Sequence, residues 1–233
     1  LSKEYRKKLK TKDNKPFTNA GAFKDFLTAK DIKMINWTLV EAYNERLVDS
    51  YTQLNSTLPK QYTGSIKDLV ETAYQAIKTN DILPTLNNHG RASESVYLAW
   101  MQGYMISHIF KPFIEQQLSV TLEQNGADDL TKPETFGRKS DPDLVDHNNK
   151  VFVEVQAGFK GGKVDIKRSK VKAPNQDYTY QIVCIDCFNG RFCTVNAREL
   201  LDLPDTEWYA NPQWEGALCH TIPEDSLKSW LPE

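Results

Sequence analysis

No run in this chain of 233 residues approaches the ~20 consecutive apolar residues of a membrane-spanning helix. No charged-then-apolar leader opens it, and because it does not begin on Met it is expected to lack its true start. Gly-x-Ser-x-Gly, P-loop and dinucleotide fingerprints are missing, which removes the sequence signals for esterase, nucleotide-hydrolase and nicotinamide chemistry. There is no internal repeat and no low-complexity linker. The four histidines, His89, His108, His147 and His220, lie too far apart to form a ligand or nucleophile motif. Cysteine is scarce as well. Cys184, Cys187, Cys193 and Cys219 invite a zinc reading, but residues three apart on a strand point to opposite faces, so core or half-buried thiols are the expectation. Free thiols fit a reducing compartment, and the cytoplasm is the expected setting.

Strong net charge is absent too: 29 Lys and Arg against 31 Asp and Glu leave −2. The distribution is uneven. Residues 1–15 carry Lys3, Arg6, Lys7, Lys8, Lys10, Lys12 and Lys15 against Glu4 and Asp13, and residues 160–172 carry six cations against Asp165 alone. From Asn196 onward the balance turns acidic. Nucleic-acid binding needs local rather than global basicity, so the overall charge does not exclude it. With 39% hydrophobic residues the chain can bury one sizeable core.

The period of the apolar residues changes half-way. Ile32, Ile35, Leu39, Ala42, Tyr43, Leu47 and Tyr51 follow helical spacing. Ser65 is positioned to cap a second helix with Ile66, Leu69, Val70, Ala73 and Ile77 on its apolar side. A long helix is predicted over Ser93 to Gln117, weakened or bent at Gly103 and Pro112. From residue 118 strands take over: Ser119–Glu123, a hairpin at 143–156, and a second hairpin of 178–186 with 191–195 joined by a two-residue Asn189-Gly190 turn. Asn196 caps a short helix, and Ala217–Ile222 is expected as the last strand. The fold class is α/β (α+β), a mixed sheet with flanking helices and an N-terminal helical layer. It is read as a single domain, mainly helical over 1–117 and carrying the catalytic sheet over 118–233.

The most informative stretch is Ser140–Gly158. Pro142-Asp143 opens a short apolar strand, Asp146–Asn149 turn, and the following strand places Phe152, Glu154 and Gln156 on one face. If the strands pair, Asp143 and Glu154 sit on neighbouring strands about 5 Å apart. Two carboxylates that close repel unless a cation lies between them, and an all-oxygen cage completed by water suits Mg²⁺. A surface hairpin with solvated acids is the plain alternative, but a carboxylate inside an apolar strand is costly without a partner. Gly158, Gly161 and Gly162, beside lysines, would permit a phosphate to approach the backbone.

This stretch resembles the active-site signature of the PD-(D/E)xK nuclease superfamily, in the form found among type II restriction endonucleases. Pro142 and Asp143 match its opening and Glu154 its second acid, with Asp141 as the alternative to Asp143; Gln156 stands where Lys is usual, a substitution that some cutting members share. The resemblance covers about 20 residues, with Glu94 matching an extra helix acid of some members. It implies Mg²⁺-dependent cleavage of double-stranded DNA at a short sequence by a homodimer. Asp143, Glu154 and the Val155 carbonyl would hold metal, and Gln156 would orient the attacking water. The charge missing at position 156 must come from a second metal, on Glu94, or from Lys160 or Lys163. DNA contacts are expected from Arg138 and Lys139, from Lys160, Lys163, Lys167, Arg168 and Lys170, and from the polar loop Asn87, Asn88, His89 and Arg91. Trp37, Tyr43 and Tyr51 are candidate anchors of a subunit contact. A repair or recombination nuclease of the same superfamily, and a non-catalytic DNA binder with a decayed site, are the alternatives.

Overall fold

Among the described residues, helices α1 (Trp37–Ser56), α2 (Ile66–Thr79) and α3 (Ser93–Leu118) come first, and nine strands with one short helix, α4 (Ala197–Leu201), follow. The fold class is therefore mixed α/β, as the change of period implies. The structure, a computed structural model, describes residues 35–79, 92–126, 141–158, 163–171, 177–212 and 216–231. The chain divides into two compact units, one of Leu1–Tyr51, Gly64–Met105 and Leu130–Arg138, the other of Thr52–Thr63, Ile106–Asp129 and Lys139–Glu233. Among the described residues no helix is long and apolar enough to cross a membrane.

The first unit is helical. Asn36 caps α1, its Oδ1 accepting from the Leu39 amide at 3.1 Å. Leu47 and Tyr51 of α1 are buried as expected, and Val40 is buried in place of Leu39, which is 39% exposed. Asn44, half-buried on the same helix, takes a hydrogen bond from the buried Tyr97 hydroxyl. Ser65 caps α2 as expected, accepting from the Asp68 amide at 3.1 Å, and Ile66, Leu69, Val70, Ala73, Tyr74 and Ile77 are buried. Tyr51 is buried and donates to the Gln102 carbonyl at 3.2 Å, and Trp37 sits edge-on to Tyr74 at 5.9 Å. Tyr51 is thus a core residue and is withdrawn as a subunit anchor. Helix α3 runs through Pro112 without interruption.

The second unit is built on a six-stranded mixed sheet. Its strands are β1 (Glu123–Gln124), β2 (Leu144–Asp146), β3 (Val151–Gly158), β5 (Thr179–Asp186), β6 (Arg191–Asn196) and β9 (Lys228–Ser229), in that spatial order. Among the described residues of this sheet, only β3 and β5 pair in parallel. A smaller sheet orders β4 (Asp165–Lys167), β8 (Ala217–Thr221) and β7 (Tyr209–Asn211). The strand expected over 119–123 shortens to β1, because Ser119 adopts a left-handed φ of 56° after α3 and Leu122 donates its amide to Glu115. Beyond the expected last strand the chain adds β9.

Alternation sorts the large sheet. Tyr180, Ile182 and Cys184 of β5 lie beside Phe152, Glu154 and Gln156 of β3, while Cys193 and Val195 of β6 continue the same face. This face packs into a core with Val164, Ile166, Val171, Trp208 and Ile222. On the opposite face Phe192 meets Phe113 edge-on at 4.7 Å.

The hairpins β2–β3 and β5–β6 share one polar clamp. Asp146 Oδ1 accepts from the amides of Asn148 and Asn149, both at 2.9 Å, and Oδ2 accepts from Asn149 Nδ2 at 2.7 Å. Asp186 repeats the pattern with the amides of Phe188 and Asn189, both at 3.1 Å, and with Asn189 Nδ2 at 2.8 Å. Both loops hold four residues and end left-handed, at Lys150 (φ 53°) and Gly190 (φ 63°). The strands end at Asp186 and Arg191 as expected, but the turn between them is a four-residue loop rather than the two residues Asn189-Gly190, its amides held by the Asp186 carboxylate.

Candidate active site

Register puts the signature acids face to face. Leu144 pairs with Val153 across β2–β3, so one step further along the ladder Asp143 stands opposite Glu154. The Asp143 carboxylate reaches over the ladder, its Oδ2 accepting from the Val155 amide at 2.8 Å. Glu154, only 3% exposed, lies beside Ile182 of β5. Its Oε1 meets Lys170 Nζ at 2.7 Å. Lys170 arrives from outside the hairpin, on the 3-10 turn Arg168–Lys170 that follows β4. The Tyr180 hydroxyl donates to the Lys170 carbonyl at 2.8 Å and so ties that turn to the sheet.

Electrostatics follow this geometry. Burial pushes the Asp143 carboxyl above its ordinary value, opposed by the charge of Lys170 and the Val155 amide. Burial, and then the nearby carboxylates of Glu154, Asp143 and Asp141, raises the Tyr180 phenol strongly. Tyr180 thus stays a donor and cannot add a further negative charge. Asp143 and not Asp141 holds the register position opposite Glu154.

The donor set fits a hard divalent cation. Two carboxylates on adjacent strands, with water completing the shell, match what Mg²⁺ asks of a protein. An ammonium already rests on Glu154, so the position attracts positive charge. Among the described residues no group of three or more His, Cys, Asp and Glu side chains comes together, so a cation here would depend on two acids plus main-chain and water oxygen. Val155 enters the site through its amide; a ligand role for its carbonyl belongs to the proposal below. Gln156 follows Glu154 on the same face and is half-buried.

Glu94 is buried in the first unit and accepts from the Asn36 amide, whereas Asp143 and Glu154 belong to the second. Arg138, Lys139, Lys160, Asn87, Asn88, His89 and Arg91, with Gly161 and Gly162, lie outside the described residues. Lys163 is exposed and Lys167 lies in β4 opposite Cys219. Arg168 pairs with Asp205 at 2.8 Å and rests over the Trp208 ring at 5.3 Å. Gly158 departs from its expected role. A Cβ there would lie 2.3 Å from the Lys163 carbonyl oxygen, so its missing side chain admits the chain's own backbone rather than a phosphate. The four cysteines are free thiols, with Cys184 and Cys193 directly opposed across β5–β6.

What sequence reasoning missed is the place of Lys170, assigned to a DNA-tracking stripe, and the tether from Tyr180. No local signal could have found them, because Lys170 is one cation of a basic run and its partner lies across a fold-back. The positive charge that stands at Glu154 is that of Lys170. No protein-family model, curated protein or solved structure matches this chain.

Proposed function

We propose that this protein is a Mg²⁺-dependent endonuclease of double-stranded DNA, of the type II restriction kind, acting as a homodimer on a short symmetric sequence. One observation carries the reading: Asp143 and Glu154 oppose each other on paired strands, with the Lys170 ammonium 2.7 Å from Glu154. Asp143 and Glu154 hold the cation, with the Val155 carbonyl as a further ligand. When bound, Mg²⁺ polarises a phosphate oxygen and lowers the pKa of its water. Lys170 provides the positive charge beside the acids that position 156 lacks. Gln156, on the Glu154 face, orients the attacking water by hydrogen bonding but cannot take its proton.

The test is cleavage of phage DNA with Mg²⁺, followed by sequencing of fragment ends. Discrete fragments with one recurring end sequence are expected. Asp143→Ala and Glu154→Ala should each lower the rate at least about a thousandfold, since the metal contributes several kcal/mol. Circular dichroism should remain that of the folded protein. Full cutting by both variants would refute the assignment, and heterogeneous ends would favour a repair or recombination nuclease.

A further inference from the structure

The ion pair on Glu154 bears on how the site takes up its metal. Lys170 Nζ stands 2.7 Å from Oε1 of a carboxylate that is 3% exposed, on a turn tied down through its own carbonyl by Tyr180. A divalent ion ligated by Glu154 needs an oxygen at roughly 2.1 Å, inside the space the ammonium now fills. Charge gives the same answer. The Lys170 ammonium and a divalent ion on the same Glu154 oxygen would repel each other at close range.

Resting on the nuclease reading, we propose that Lys170 is a resident counter-ion of the metal site and that divalent loading must expel its ammonium from Glu154. Lys170 then sets the affinity of the apo protein for metal. The lysine keeps two close acids compatible with folding when metal is scarce, and it weakens metal binding in proportion. Once displaced, the ammonium remains beside the site because the Tyr180 tether holds the main chain of its turn.

Two measurements on the full chain test this, both with metal alone. Calorimetric titration with Mn²⁺ at pH 8 should give Lys170→Met an affinity at least about tenfold tighter than wild type, the effect of removing one unit charge from the site. Amine labelling of wild type read by mass spectrometry needs no variant to fold. Lys170 should be protected in chelator and become reactive on adding Mn²⁺, whereas the exposed Lys228 should react equally in both. Binding that Asp143→Ala abolishes, combined with unchanged Lys170 labelling or no gain in Lys170→Met, would overturn the counter-ion role and leave the metal site standing. No Mn²⁺ binding by either protein would overturn both.

Discussion

The Glu154–Lys170 pair is electrostatically lopsided, and its two halves should respond unequally to removal. Glu154 is 3% exposed, while the Lys170 side chain retains 28% exposure and a route to water. Lys170→Met strands a buried carboxylate and also removes the charge that opposes the rise at Asp143. Breaking a fully buried pair costs about 3–5 kcal/mol; with one partner reaching solvent, about 2–4 kcal/mol is expected here. Glu154→Gln removes the charge that burial penalises and lets the ammonium swing out. Its cost should stay within about 1 kcal/mol, and a small gain is possible on the same grounds. The double variant should lie near Glu154→Gln alone, giving a coupling of about 2 kcal/mol or more. Urea unfolding in chelator, with unchanged slopes, measures all four proteins. Glu154→Gln as costly as Lys170→Met would refute the reasoning, because the pair would then be a net stabiliser that outweighs its own desolvation.

Two further predictions concern the hairpins. Asp186 is fully buried and accepts from Phe188, Asn189 and Arg191, so Asp186→Ala should cost about 2–4 kcal/mol in urea unfolding, and a cost below about 1 kcal/mol would contradict the clamp. Burial alone would raise the Asp186 carboxyl, but Asn189 and Arg191 outweigh it, and the Asn149 amide leads in lowering Asp146; both titrate below 3.8. The stability they contribute is complete above that value and should drain as pH falls through it, with Asp186→Asn flattening the decline in acid unfolding curves. Asp143 works in the opposite sense: its raised value means stability is lost as pH climbs past 3.8. Lys150 holds a left-handed φ of 53° that costs a side-chain-bearing residue about 1 kcal/mol. Lys150→Gly should therefore raise thermal stability by a few tenths to about 1 kcal/mol, and a loss would show that its side chain contributes something the backbone does not.

Much of the second unit was legible because its decisive pattern is local. The alternation of Val151–Gln156, the turn after Asp146 and the Pro142-Asp143 start all lie within some fifteen residues, so the opposition of Asp143 and Glu154 followed from counting. The helix caps at Ser65 and Asn196 were equally local. Errors arose where a side chain overrode a backbone rule. Asn189-Gly190 looks like a two-residue turn until Asp186 is seen to collect the loop amides. On α1 the expectation fails at one place, where Val40 is buried instead of Leu39, while Leu47 and Tyr51 are buried as read. Lys170 and Tyr180 were illegible for another reason: their relation to Glu154 exists only after the 3-10 turn folds back over the sheet.

The aspartate clamp on the β2–β3 loop fixes strand alignment at the closed end of the hairpin, through Asp146 and Asn149, while Asp143, Glu154 and Gln156 lie further along. Those three positions can therefore change identity without the ladder slipping, and replacing Gln156 leaves the alignment of the strands untouched.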